Sequence, residues 1–546
     1  MKKRIMSIIL ICSMLMGIVV GCGSGEESKK QGSSYNGEKV TLTVGLPMSA
    51  NVTDFDDNAF TKYIEESLNM ELEFVSFTTD ASESAQQLAL MVSAEEELPD
   101  VLWGFYGLSH YTAREFGEDG YFIDLTDLLD EWAPNYKEQY DKLSKEEKKR
   151  VDEKGVNPSN GAIYGMPMVG TPVIDSMQNA MFINQTWLDK LGLKAPTTIE
   201  ELNVVLEAFA TKDPNGNGQA DEIPMLSRTG TSYDITAYLI NAFLYYDTNN
   251  AFNVTNGKVW DPSSSDEYRQ ALIYANELCK KGYLSDLCFT LTAASEYISL
   301  ITPSDNVAKV GIWCGNPVSM TNSQTEILDQ YVAFDSLEDA TGKGGYTVVR
   351  EKDINFCSFI TKDCEYPEAA MRFLDFFYED ETVTRMRHGE KGVDWEEAEG
   401  FNVQGEPATI KVLNPTAFFK GNSTWCRNGN AIMTADNYIA IAEEGTGRQA
   451  ECDRLTRESW KFMTSDRVPQ EVVGALVYTS EEYEIRSEYA GLYTDQVQKS
   501  RNRFITGDMD PSDDGDWKEY TSSLKNLGQA DLLKVAQQAY NRKSGK

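Results

Sequence analysis

Histidine is the scarcest of the chemistry-bearing residues: a chain of 546 residues holds only two, His110 and His388. A Ser-His-Asp or Cys-His site would have to use one of them, and neither lies in a nucleophile-elbow pattern. There is no P-loop, no Gly-x-Gly-x-x-Gly and no His-Glu-x-x-His, so the usual signatures of nucleotide and zinc-protease chemistry are missing. Positive charge is short as well, with 50 Lys and Arg against 86 Asp and Glu and a formal charge of −36. So acidic a chain argues against nucleic acid, which needs basic patches. It also argues against anionic ligands such as polyuronates unless a local basic pocket exists, so neutral glycans fit better. The nine cysteines show no Cys-x-x-Cys spacing for zinc. The 86 acidic residues leave a glycosidase pair open, but without a motif their abundance carries no information.

Long apolar runs are absent except at the start. Lys2, Lys3 and Arg4 precede the run IMSIILICSMLMGIVV and then Gly21-Cys22. This reads as a secretory signal peptide over residues 1–21, too short for a comfortable membrane span of about 20 residues. Val19-Val20-Gly21-Cys22 resembles a bacterial lipobox, which makes Cys22 the lipidated residue of the mature chain. Residues 22–37 then read as a flexible Gly/Ser/Lys-rich tether. Several acyl chains on one cysteine anchor a protein stably, so the expected location is the outer face of the cell membrane. Loss of Cys12 and lipidation of Cys22 leave Cys279, Cys288, Cys314, Cys357, Cys364, Cys426 and Cys452. That number is odd, so at least one is unpaired, and buried thiols then serve as small apolar residues.

The most informative stretch is Met181 to Pro224. MFIN is an apolar run of strand type. Thr198 and Glu201 form a capping-box pattern behind Pro196, and Leu202, Val205, Leu206 and Phe209 recur on one helical face. The helix must stop at Asp213-Pro214. From Asp213, oxygen side chains stand at loop positions one, three, five and nine: Asp213, Asn215, Asn217 and Asp221. Gly218 occupies position six, the Gln219 carbonyl falls at seven, and Glu222 at position ten replaces the glutamate that an EF-hand has at twelve, where Pro224 stands. The spacing points to a structural Ca²⁺ held by hard oxygen ligands, with no open position for catalysis.

The order Trp187-Leu-Asp-Lys-Leu-Gly-Leu, Pro196, Thr198, Glu200-Glu-Leu and Asp213-Pro-Asn-Gly-Asn-Gly to Asp221-Glu-Ile-Pro resembles the extracellular solute-binding proteins of carbohydrate ABC importers. The likeness is to their long lipoprotein subgroup, which includes alginate-oligosaccharide binders. Pro99-Asp100-Val101-Leu102, Tyr164-Gly165-Met166-Pro167, Tyr366-Pro-Glu-Ala-Ala-Met-Arg-Phe and Gly392-Val-Asp394-Trp395 resemble further family segments. Val40–Val44, a helical face at Phe60, Tyr63, Ile64 and Leu68, and strands at 71–77 and 98–103 give an alternation that implies a parallel sheet. The resemblance implies an α/β, two-lobed periplasmic-binding-protein fold of type II with the ligand cleft between lobes. Lobe 1 is expected at 38–166 and 347–410, and lobe 2 at 167–346 and 411–546. A single helix is expected at 523–540.

Sugars present apolar C–H faces beside hydroxyls, so aromatic platforms with neighbouring amides and carboxylates suit them. The loop-placed candidates are Trp103, Trp313 with Asn316, Asp394 with Trp395, and Trp425; Trp132, Trp187, Trp260 and Trp460 read as packing. The resemblance implies a monomeric, non-enzymatic, lipid-anchored receptor that captures an oligosaccharide and delivers it to the permease subunits of an ABC importer. A calcium-stabilised surface glycoside hydrolase or lyase, or a peptide-binding receptor lipoprotein, remains the alternative at this stage.

Overall fold

The computed structural model describes residues 37–170, 180–228, 234–248, 251–320, 327–339, 341–348, 351–419, 421–444, 448–463 and 465–545. The leader, Cys22 and residues 22–36 of the tether lie outside them. In chain order β1 (Val40–Pro47), β2 (Met70–Phe77), β3 (Val101–Leu102) and β4 (Met166–Val169) come first. Then follow β5 (Met181–Asn184), β6 (Ile223–Leu226), the hairpin β7 (Asn253–Thr255) and β8 (Lys258–Trp260), β9 (Val310–Cys314) and β10 (Tyr331–Ala333). The last are β11 (Ile354–Ile360), the hairpin β12 (Trp395–Phe401) and β13 (Pro407–Val412), and β14 (Ala431–Ile432).

Two sheets result, ordered β14-β4-β11-β3-β1-β2 and β10-β5-β9-β6. Every pairing in the first is parallel except those of β11. In the second only β5 runs against its neighbours. These two reversed strands are the ones entered directly from the other lobe. The chain leaves β4 at Val169 and begins β5 at Met181, and leaves β10 at Ala333 to begin β11 at Ile354. Both crossings therefore join the carboxyl ends of the parallel strands of both sheets. That is the edge at which open α/β sheets leave a ligand crevice.

Each sheet has its own core. Leu42, Val44, Ile64, Val101, Phe373 and Phe377 belong to the first, and Ile183, Leu206, Phe209, Ile312, Tyr493 and Phe504 to the second. Local chemistry explains the helices between. Thr198 caps Ile199–Thr211 by accepting from the Glu201 amide, and Leu202, Val205, Leu206 and Phe209 are buried. The expected capping box is half formed, because the Glu201 carboxylate takes the Thr197 amide and hydroxyl, both at 2.8 Å. Pro367 opens the helix Pro367–Phe376 at its first turn, where no amide donor is needed.

The lobe boundaries fall elsewhere than expected. β4 at 166–169 pairs with β11 in the first sheet, and β14 adds to that sheet alongside β4. Trp425, Ala431 and Ile432 are in the first core. Residues 411–438 thus stay with lobe 1, and the third crossing lies between Tyr438 and the helix Arg448–Trp460, which packs on β10. The expected helix at 523–540 is two, Asp514–Asn526 and Gln529–Lys543. Gly528 separates them at φ +81, and a Cβ there would meet the Tyr489 ring at 2.4 Å.

The lobes also touch beside the crossings. The Tyr111 ring stacks on Tyr483 at 3.8 Å, and its hydroxyl accepts from the Tyr478 amide at 2.7 Å and donates to the Tyr478 carbonyl at 3.1 Å. Glu351, in the second crossing, pairs with Lys543 at 2.9 Å and with Arg150 at 3.5 Å.

Candidate functional site

The carboxyl end of β3 runs into Trp103-Gly104-Phe105-Tyr106, and the segment 421–430 lies against it. Val52, just past β1, bridges to Gly421, while Asn58 donates to the Thr424 carbonyl at 2.9 Å. Cys426 adopts φ +51, an uncommon left-handed conformation for a side chain that is not glycine. Next to it, Arg427 Nε donates to the Gly104 carbonyl at 2.9 Å, and its guanidinium lies 5.6 Å from the Tyr106 ring centre. Gly104, at φ +74, has Arg427 Cδ only 3.2 Å from where a Cβ would stand. Asn428 Nδ2 reaches the Tyr438 hydroxyl at 3.4 Å. Over Tyr438 lies a second guanidinium, that of Arg387, at 5.3 Å, which also covers Phe418 at 4.4 Å.

This face is polar and incompletely satisfied. Asn428 Oδ1 and the Tyr106 hydroxyl are shielded from water without a hydrogen bond of normal geometry. Buried polar groups are ordinarily paired, so these two orphans single out the loop at the carboxyl edge of the sheet. Burial lowers the Arg427 pKa from the ordinary arginine value, and the groups acting on it besides are Tyr106 and Cys357. Across the crossings, the ends of β6 and β9 bring Arg228 and Asn316 to the matching edge of lobe 2.

The four tryptophans expected as sugar platforms are core residues instead, a correction with a common cause. Trp103 is fully buried, 4.9 Å edge-on to Trp425 and 5.0 Å from Phe377. A Cβ on Gly429 would come within 2.0 Å of its ring. Trp425 donates to Thr61 Oγ1 at 2.9 Å. Trp313 is fully buried, stacked 4.2 Å from Phe182. Trp395 donates to the Gly389 carbonyl at 2.9 Å, and Asp394 accepts from the Glu390 amide at 2.9 Å and Asn414 Nδ2 at 2.8 Å, which fixes a turn. The strand or turn that carries each indole turns it away from solvent. Asn316 alone of that set stays at the edge, half-buried. Residues that sequence reasoning missed are Tyr106, Arg387, Arg427, Asn428 and Tyr438. The signal available was the Asn/Gly/Ser-rich stretch GNSTWCRNGN, which reads as loop and carries an arginine.

The oxygen-rich loop sits far from this face. It joins the helix Ile199–Thr211 to the amino end of β6, and Asp221 pairs there with Lys309, just before β9, at 3.2 Å. Asp213 accepts the amides of Gly216, Asn217 and Gly218 at 2.8, 3.1 and 3.0 Å. Asn217 Oδ1 accepts the Gln219 amide at 2.7 Å, and Asp221 Oδ1 accepts from Asn215 and Asn217 at 3.0 Å. Glu222 Oε1 is buried without a partner, and burial pushes its pKa up. Among the described residues no three His, Cys, Asp or Glu side chains converge as a metal cluster. Half of this loop's six donors are Asn or Gln, so it is an oxygen set of mixed charge, and an orphaned carboxylate oxygen fits a hard cation.

Both histidines are held in their neutral form. His388 Nε2 contacts the Tyr438 carbonyl at 2.9 Å, and burial lowers its pKa to about 4; burial likewise lowers His110 to about 3.

Two α/β lobes hinged at the carboxyl ends of their sheets define a receptor of the bilobal binding-protein class. Residues 56–384 match the family of bacterial extracellular solute-binding proteins, and the chain belongs to it. It is similar to the fructooligosaccharide ABC transporter substrate-binding protein FusA of Streptococcus pneumoniae, 24% identical, with 96% of each chain covered. It is 23% identical to the polygalacturonan/rhamnogalacturonan-binding protein YtcQ of Bacillus subtilis over 80% of this chain and 85% of that one. The solved structure of an EF-hand mutant of S. pneumoniae FusA, in complex with fructo-nystose, superposes with a TM-score of 0.76 at 20% identity, covering 92% of this chain and 99% of that one.

Proposed function

We propose that this protein is the substrate receptor of an ABC importer and captures an oligosaccharide between its lobes. The observation that carries the reading is the joining of both sheets at their carboxyl ends, with the orphaned Tyr106 and Asn428 groups on that edge. Membership of the solute-binding family supports it, as do relatives named for sugar transport and sugar binding. The ligand meets Tyr106, Arg387, Arg427, Asn428 and Tyr438 on lobe 1 and the edge near Arg228 and Asn316 on lobe 2. Binding shifts the population from open to closed about the crossings, and the closed form is what the permease subunits read. No bond in the ligand is broken. The protein acts as a monomer held to the outer face of the membrane by acyl chains on Cys22.

Asp213, Asn215, Asn217, the Gln219 carbonyl, Asp221 and Glu222 would hold Ca²⁺. Such an ion would supply fixed positive charge that offsets the loop's carboxylates. The FusA structure described as an EF-hand mutant supports a metal loop in this fold.

Thermal melting of the chain without residues 1–22, against a panel of oligosaccharides with and without Ca²⁺, tests the reading. A ligand at about 100-fold its Kd adds roughly 2.7 kcal/mol. The expected result is a shift with intact sugar recovered afterwards. Cleaved sugar would point to the hydrolase, and stabilisation by peptides alone to the peptide receptor.

A further inference from the structure

The acidic composition favours a neutral ligand, yet the cleft face of lobe 1 holds two cations without counter-charges among the described residues. Neither Arg387 nor Arg427 forms an ion pair among the described residues; each guanidinium lies instead over aromatic rings. Other arginines of the chain show the contrast. Arg385 pairs with Glu381 at 3.0 Å, Arg454 with Glu451 and Glu458 at 2.8 Å, and the buried Arg501 with Asp234. In a chain with 86 carboxylates, a half-buried guanidinium without one is a costly arrangement unless something arrives to pair it. Arg427 is held in place by its Nε bond to Gly104, which leaves its two terminal nitrogens without a described partner. A fork fixed in this way is suited to a carboxylate. Asn428, whose Nδ2 reaches the Tyr438 hydroxyl at 3.4 Å, links the two arginines into one patch.

We propose that the ligand is an oligosaccharide with uronate residues, whose carboxylates pair with Arg427 and Arg387. This rests on the receptor reading above and fixes the ligand's charge within it. The overall negative charge does not decide against it. At physiological ionic strength the Debye length is about 8 Å, so the surface carboxylates are largely screened and the cations at contact set the local preference. The rings beneath the guanidiniums keep them oriented and add cation–π attraction at no cost in charge.

The test is calorimetric titration with uronate trimers of several stereochemistries, each compared with its methyl ester, which keeps the rings and removes the charge. One or more free acids should bind at least about tenfold more tightly than the ester, the size expected for hydrogen bonds to a charged group. Arg427→Gln and Arg387→Gln, checked for unchanged melting temperature, should each reduce that ratio. Arg427→Lys should restore part of it for Arg427. Equal affinity for acid and ester, or binding of neutral oligosaccharides only, overturns the proposal and leaves the receptor intact. Binding of no sugar at all overturns both.

Discussion

At the scale of single residues, the structure separates groups that resemble one another in sequence. Trp103 and Trp313 stand next to turns and invite a ligand role, yet both are packed on all sides. Sequence shows that a tryptophan ends a strand, but not which face of the turn it takes; that depends on partners such as Phe182 and Phe377, distant in the chain. Trp313→Ala is therefore expected to cost about 3–5 kcal/mol of stability, as for other buried large aromatics, read from the shift of the urea midpoint. A loss of sugar affinity with unchanged stability would restore the platform reading. Asp453 offers a pH signature. It is buried, accepts from the Glu443 amide at 2.8 Å and Gln449 at 2.9 Å, and burial raises its pKa to about 6, with Glu443 adding to the rise and Arg457 opposing it. The folded state holds this proton between the ordinary carboxylate pKa and about 6, while the unfolded state does not. Stability from this group therefore falls as pH rises through that window and is flat above it. Asp453→Asn should exceed the parent by roughly 2–3 kcal/mol at pH 8 and lose that advantage near pH 3.5. Equal gains at both pH values would show that the carboxyl titrates normally.

At the scale of elements, long periodic segments were the legible ones. The Ile199–Thr211 helix keeps the face read from Leu202, Val205, Leu206 and Phe209, and the strand read at 71–77 is β2, Met70–Phe77. β14 was not legible, because two residues carry no periodicity, and its pairing with β4 is what holds residues 411–438 in lobe 1. The cleft face fared likewise: Arg427 sits in a loop whose place comes from contacts with Gly104 and Val52, not from any repeat. The Asp213 loop could be read because ligand spacing is itself a sequence pattern. Its site at the amino ends of β6 and β9, away from the cleft, leads to a prediction. Asp213→Ala and Glu222→Gln should abolish the rise in melting temperature on adding Ca²⁺, while the sugar Kd measured in excess Ca²⁺ changes less than about threefold, under 1 kcal/mol. A much larger loss of sugar affinity would mean that the loop shapes the cleft.

The whole molecule consists of two lobes joined by three crossings and by contacts beside them. Tyr111, Tyr478 and Tyr483, with the Glu351–Lys543 pair, are among the described contacts that tie lobe 1 to the carboxy-terminal helices of lobe 2. Each core has its own sheet and could unfold as a unit, so their cooperativity depends on such contacts. The stacked pair contributes on the order of 1 kcal/mol beyond its buried area, and the two hydrogen bonds of the Tyr111 hydroxyl about as much each. Tyr111→Ala combined with Tyr483→Ala removes both at once. In scanning calorimetry the parent should unfold in one transition, and the double variant should split into two. Added Ca²⁺ should then raise only one of the two, since the Asp213 loop belongs entirely to lobe 2. The transition that does not respond to Ca²⁺ should be the one weakened by Asp375→Ala. Asp375 in the first core accepts the Asn135 and Tyr136 amides at 3.2 and 2.8 Å, and its loss leaves both without a partner. A single transition that moves as a whole with Ca²⁺ in the double variant would show that the crossings alone are enough to couple the lobes.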